Sequence, residues 1–161
     1  MALTFTDATG ALKQVGVAAT KYYIGTTATD PATDTYVEIA GVISFPEFGK
    51  TADEVSQPTI GNPLNTKSKG LVQLGGGDLM CTKSEGDDGQ DALIAASDDF
   101  SGSNYNIAVV QPDKILTRGT TYFIKALVRG DAFGAVGGPN EVAKLKVGLI
   151  FNSKPVKVAA T

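Results

Sequence analysis

The chain has 161 residues, no histidine, a single cysteine and a formal net charge of −3. That length suits one domain, and the missing histidine excludes Ser-His and Cys-His nucleophilic sites. One cysteine excludes an intrachain disulfide and a C-x-x-C metal or redox site, and the negative charge argues against a surface that binds nucleic acid.

Alternation of apolar and polar residues is the dominant pattern along the chain, and it predicts strands with one buried face. The clearest run is residues 36–45, where Val37, Ile39, Ile43 and Phe45 share a face. Residues 121–129 and 143–151 alternate in the same way, and further strands are predicted near 3–6, 13–25, 70–83 and 105–111. One-sided burial favours antiparallel sheets over a parallel α/β core.

Residues 46–69 follow the first clear strand and contain three prolines, with little apolar content. Connections longer than about 12–15 residues are uncommon in compact domains and usually prove functional or disordered. We therefore predict a long loop here. Two interpretations stay open: disorder or a hairpin laid over its own domain, and a segment ordered by a neighbouring molecule.

One segment has a helical pattern, at about residues 89–100. Leu93, Ile94, Ser97 and Phe100 fall on one helical face, and aspartates at 87, 88 and 91 lie where carboxylates cap a helix. These aspartates lack the spacing of a calcium loop, so capping is the preferred interpretation over metal binding or acid–base chemistry. The triple glycine at 75–77 lies within β-structure and predicts a bulge or close backbone contact instead of a phosphate loop.

The C-terminal residues and the uneven distribution of charge both suggest contacts with other molecules. The last ten residues contain little core material and predict a tail or arm. Residues 49–100 carry a net charge of −5 and residues 101–161 a net charge of +5. These charges pair within the fold or attract other copies of the chain. No stretch approaches the roughly 20 apolar residues that span a bilayer, so no membrane partner is expected.

The order of these elements resembles the major tail tube proteins of long-tailed bacteriophages and, more distantly, the tube proteins of type VI secretion. The resemblance covers nearly the whole chain: the strand YVEIAGVISF, the polar loop, KGLVQLGGGDLMCT, the helix GQDALIAASDDF, YNIAVVQPD, TTYFIKALVRG and NEVAKLKVGLIFNS. It implies one domain over residues 1–161. The expected fold is an antiparallel β-sandwich or barrel-like domain flanked by one helix, with a long loop and terminal arms.

The resemblance also implies a function. Subunits would form stacked, hexameric rings whose inner strands build a shared barrel around an acidic lumen, and phage DNA would pass through it on ejection. The loop at 46–69 would contact the next ring, and residues 152–161 and the first few residues would be arms. The implied inter-ring residues are Gly49, Lys50, Asp53, Glu54, Ile60, Asn62, Leu64 and Lys67, and the implied arm residues are Asn152, Lys154, Val156 and Lys157.

The resemblance predicts a structural protein of the virion tail, assembled in the host cytoplasm, with no enzymatic activity and no cofactor. Its partners would be other copies of itself and the tape measure, tail tip and tail terminator proteins. The alternative is another ring-forming or capsid-decorating β-sandwich protein. A carbohydrate-binding sandwich has little support, because the chain has no tryptophan for an aromatic platform.

Overall fold

The structure is a computed structural model that describes residues 19–58, 60–61, 65–113, 118–134 and 140–161. It contains one α-helix, a short 3-10 helix at Pro31–Thr33 and ten strands. The strands are β1 (Lys21–Ile24), β2 (Val37–Glu38), β3 (Val42–Ser44), β4 (Thr51–Gln57), β5 (Thr66–Gln73), β6 (Gly76–Thr82), β7 (Tyr105–Val110), β8 (Thr121–Gly134), β9 (Lys144–Phe151) and β10 (Val156–Val158). The helix, α1, spans Asp88–Ser97. The strand predicted near residues 3–6 and the first part of the one at 13–25 lie outside the described residues.

Eight strands form one antiparallel sheet in the order β2-β1-β7-β8-β9-β6-β3, with β10 paired to β8. The remaining two strands, β4 and β5, pair only with each other in a separate hairpin. The predicted fold class, a mainly antiparallel β domain with one helix, is confirmed. The strand order does not close into a barrel within the described part of the chain.

The large sheet curls back on itself, because its two end strands are neighbours in sequence. Only residues 39–41 separate β2 at one end from β3 at the other. The predicted continuous strand over 36–45 is therefore wrong. Gly41 has a φ of +68°, where a side chain is strained, and a Cβ there would lie 3.2 Å from the carbonyl oxygen of Thr82. The chain turns at this glycine, so Ile39 is buried while Ile43 is exposed.

The core fills the inside of the curled sheet, and α1 packs across it against β1, β2, β8 and β9. The alternation predicted for residues 121–129 and 143–151, in β8 and β9, is confirmed, since every second residue from 124 to 128 and from 145 to 151 is buried. The core members from these strands are Ile124, Ala126, Val128, Leu145, Val147, Leu149 and Phe151. Cys81 also lies in this core as a free thiol, and burial raises its pKa to about 11.

The helix begins as predicted but ends earlier than predicted. Asp87 is the N-cap, and its carboxylate accepts a hydrogen bond from the backbone N–H of Gln90. The helix ends at Ser97, so Phe100 lies beyond it and is 95% exposed. Its predicted place on the buried helical face is wrong. The Asp99 carboxylate accepts a hydrogen bond from the backbone N–H of Ser101, which favours a turn over another helical residue.

The C-terminal segment folds onto its own domain. Strand β10 pairs with the start of β8, with Val156 opposite Phe123. The last residue, Thr161, exchanges two backbone hydrogen bonds with Arg118, at 2.8 and 2.9 Å. A segment predicted as an arm thus extends the sheet of its own chain in this structure.

Candidate assembly site

The hairpin of β4 and β5 occupies most of the predicted loop. Nearly all residues of the two strands are exposed, so this described part of the segment is neither structureless nor laid over its own domain. Phe48 anchors its base, because its ring packs 5.5 Å from that of Tyr122. An isolated two-stranded hairpin is at best marginally stable in water. The exposed surface of this hairpin is therefore a candidate contact with another molecule.

The predicted inter-ring residues lie along this hairpin. At its base, Gly49 and Lys50 line a recess of about 440 Å³. On one strand, Glu54 forms an exposed salt bridge of 2.8 Å with Lys67, and Asp53 accepts hydrogen bonds from the side chain of Gln73. At the tip, the side chain of Ile60 is fully exposed. Asn62 and Leu64 lie outside the described residues.

The predicted arm residues lie around β10. Asn152 donates a hydrogen bond from its side chain to Asn104 Oδ1 over 2.7 Å, and its backbone N–H donates to the carbonyl of Lys125. Val156 is 58% exposed on the outer strand, and Lys157 follows it. Lys154 precedes that strand in the connection from β9.

Two open strand edges, which no sequence pattern predicts, lie on one half of the large sheet. Strand β7 pairs with β8 only as far as Ala126, and within the described residues no strand pairs the outer edge of β8 at 127–134. At the far end of the same half-sheet, β3 pairs with β6 and with no other described strand. The four strands in the order β8-β9-β6-β3 thus leave one open edge on each side, and unpaired edges bind other strands readily.

Solved structures of a phage tail tube, a prophage baseplate and a sheath-tube complex share this architecture. A chain of the SPP1 tail tube is 16% identical over 91% of this chain and 80% of that one, with a TM-score of 0.64. A chain of the anti-feeding prophage baseplate is 14% identical over 96% and 99%, with a TM-score of 0.65. A chain of the PVC sheath-tube complex, from an extracellular contractile injection system, is 13% identical over 91% and 93%, also at 0.65. This chain has the tail tube fold.

The resemblance seen in the sequence is therefore confirmed at the level of the fold. No protein-family model and no curated protein sequence matches the chain. Because the sequence identities are low, the tail tube fold is the property that this chain shares with these structures. The described part of the chain contains no helix long and apolar enough to cross a membrane. It also contains no group of three or more His, Cys, Asp or Glu side chains placed to hold a metal.

Among the described residues, no helix or strand covers the outer face of the half-sheet β8-β9-β6-β3, and the charged side chains on this bare face are mostly cationic. Arg129, Lys144 and Lys146 alternate with buried core residues and extend from this bare face. Asp78 lies among them, 2.9 Å from Lys146 and 3.3 Å from Arg129. The hydrogen bond from Lys146 lowers the pKa of Asp78, and the two positive charges act in the same direction.

The other half of the sheet carries an apolar groove of about 640 Å³ on its outer face. Its lining is mostly aromatic and aliphatic, and it includes Tyr23, Tyr36, Ala108, Val110 and Phe123. Burial, together with the charge of the neighbouring Asp34, raises the pKa of Tyr36 to about 12. No sequence motif marks this groove, because its residues come from strands and loops that only the fold brings together.

An acidic side chain at the wall of the groove is held by a hydrogen-bond network. Asp34 accepts hydrogen bonds from the N–H and hydroxyl of Thr26, from the N–H of Thr35, and from the amide of Asn106 over 2.8 Å. Burial alone would raise the pKa of Asp34, but these hydrogen bonds together lower it. The loop between β1 and β2 is thereby fixed against the sheet.

Proposed function

We propose that this protein is a non-enzymatic structural subunit that self-assembles into stacked, hexameric rings. The rings form a phage tail tube, which acts as a conduit for DNA on ejection. The observation that carries the proposal is the pair of open edges on the half-sheet β8-β9-β6-β3. The shared fold with chains from tube assemblies supports the same role.

The directions of the strands suit closure into a ring. All neighbours in this half-sheet are antiparallel, so β3 and β8 run in opposite directions. Copies related by rotation about a ring axis then bring β3 of one beside β8 of the next in antiparallel orientation. An even number of strands per subunit keeps this alternation around the ring. Closure also removes the exposed edges that otherwise promote aggregation.

The position of the helix decides which face lines the lumen in this arrangement. Helix α1 and the rest of the domain lie on the core side of the half-sheet, and this bulk fits only outside a closed ring. The bare face with Arg129, Lys144, Lys146 and Asp78 then lines the lumen. That lining has three cations and one carboxylate per subunit, which departs from the acidic lumen that the resemblance implies.

Stacking of rings requires contacts between different surfaces of successive subunits. Such head-to-tail contacts repeat without limit unless they are capped. The exposed hairpin β4–β5 is suited to this role, since its residues have no covering layer within the described chain. The tape measure, tail tip and tail terminator proteins are the proposed partners at the ends and within the lumen. The proposed location is the virion tail, after assembly in the host cytoplasm.

Electron microscopy of the purified protein over a range of concentrations tests this proposal. We expect hexameric rings and tubes with a continuous lumen. Particles that remain monomeric at every concentration would contradict it. Closed rings that never extend would instead indicate a capsid-decorating or other ring-forming protein. Cryo-electron microscopy of the tubes would locate the junction between β3 and β8 directly.

A further inference from the structure

The most exposed aromatic side chain among the described residues lies just after the helix. Phe100 is 95% exposed, and the turn that carries it is held by Asp99, which accepts hydrogen bonds from Ser101 N–H and the Tyr105 hydroxyl. Burying a phenylalanine side chain contributes about 1.5–3 kcal/mol, so its exposure forgoes a sizeable stabilisation. A single exposed apolar residue is common on protein surfaces and indicates nothing by itself. A binding role for Phe100 therefore requires a surface that can bury its ring.

The apolar groove is a surface that can bury this ring. Its volume of about 640 Å³ is ample for a phenyl ring, since a cavity of about 150 Å³ already holds benzene. The floor offers the rings of Tyr23, Tyr36 and Phe123, and aromatic pairs are favourable beyond their buried area. Lys21 and Arg118 also line the groove, as does Asp34, and the ammonium of Lys21 is paired with Glu38 over 3.0 Å. A ligand with an aromatic ring and a negative charge placed near Arg118 fits these groups.

Phe100 has that chemistry, because Asp98 and Asp99 come directly before it. It does not reach the groove of its own chain, since no residue from 97 to 105 lines it. Phe100 precedes the first residue of β7, whereas the groove is lined by Ala108 and Val110 at the other end of that strand. Six extended residues separate these ends by about 17 Å. The exposed Phe100 side chain and the apolar groove therefore lie toward opposite ends of β7.

We propose that Phe100 of one copy inserts into the groove of a second copy, with Asp98 and Asp99 facing Arg118 of the receiving chain. The contact joins different surfaces of identical chains, so it is head-to-tail and repeats from copy to copy. It rests on the proposed function, and it assigns two specific surfaces to the self-assembly of the tube.

Cross-linking tests the contact. The double variant Ser101→Cys with Val110→Cys keeps the Phe100 side chain; it is assembled and treated with a short bismaleimide, while the buried Cys81 stays unreactive. Each chain carries both partners, so a head-to-tail contact produces a ladder of covalent oligomers on a denaturing gel. The matched control joins Val142→Cys to Val110→Cys, because Val142 is also exposed, at 60%, but lies just before β9 and outside the proposed ring junction. Tubes without a ladder, or equal ladders in both variants, overturn the contact.

The single variant Phe100→Ala measures how much the contact contributes to assembly. Aromatic anchors at interfaces typically contribute 2 kcal/mol or more, which corresponds to about a 30-fold rise in the protein concentration needed for assembly. The melting temperature of the subunit should not change, because Phe100 packs against nothing in its own core. Val142→Ala should shift the assembly concentration less than about threefold, because Val142 is exposed but lies outside the proposed contacts. Equal shifts in the two variants overturn the contact, whereas wild-type protein that never assembles overturns the proposed function.

Discussion

The side-chain amide of Gln90 donates a hydrogen bond to the carbonyl oxygen of Ala40 over 3.0 Å. The same nitrogen donates to the carbonyl of Thr82 at 2.8 Å, and the amide oxygen accepts from the N–H of Ser84 at 3.1 Å. Gln90 is fully buried. It therefore joins the corner between β2 and β3 to the end of β6, and so holds the two ends of the curled sheet at the N-terminus of α1.

Replacing Gln90 by leucine should destabilise the subunit by about 3 kcal/mol, because two carbonyls and one N–H lose their partner in a buried site. Urea denaturation followed by circular dichroism measures the free energy of unfolding. Ala95→Gln is the matched control, since Ala95 is exposed on the same helix, and it should change stability by less than about 0.5 kcal/mol. Similar losses in the two variants would show that the Gln90 bonds do not hold the fold.

The hydrogen bonds to Asp34 predict a pH-dependent contribution to stability. Its pKa is lower in the folded chain than its ordinary value of 3.8. The ionised form therefore stabilises the fold above pH 3.8, and this contribution is lost as the pH falls through the lowered value. Asp34→Asn should be destabilised by about 1–2 kcal/mol at pH 7, and the gap to wild type should narrow as the pH falls below 3.8 and through the lowered pKa.

Denaturation curves of wild type and Asp34→Asn at neutral and acidic pH check this prediction. Asp98→Asn provides the comparison, because Asp98 is exposed at the end of the helix. A gap between wild type and Asp34→Asn that stays constant with pH would mean that the lost interaction is not ionic.

Shortening the hairpin should separate folding from assembly. Thr51 and Gln73 are register partners at its base, so an Asn-Gly turn replacing residues 52–72 joins them without strain in the large sheet. We expect the melting temperature of the monomer to change little, because the hairpin contributes almost nothing to the core. Tube formation, followed by sedimentation and microscopy, should be abolished. A variant that fails to fold would instead place the hairpin among the elements that the domain needs.

A charge on the open edge strand should block ring closure. Ile43 is 55% exposed on β3, and lysine on an edge strand discourages pairing with another strand. Ile43→Lys should remove rings and tubes but leave the monomer folded. Val37→Lys is the control, since Val37 is also exposed on a short end strand, β2, which lies in the other half of the sheet. Tubes of normal yield from Ile43→Lys would contradict a junction at β3.

The sequence by itself determined the class of fold and much of the core. Period-two alternation depends only on which residues are apolar, so the buried faces of β8 and β9 followed from it. The aspartates before the helix likewise predicted its N-cap, because capping is a local interaction. The order of these elements was enough to predict the tail tube fold.

Tertiary structure decided what local patterns do not encode. Alternation over 36–45 gave no sign that Gly41 would divide the run between the two ends of one sheet, because that turn depends on close contact with Thr82. Phe100 fitted a helical face, yet the helix ended three residues earlier. The open edges, the bare cationic face and the apolar groove each combine residues distant in sequence. Such surfaces exist only after long-range strand pairing has fixed which residues are left without a partner.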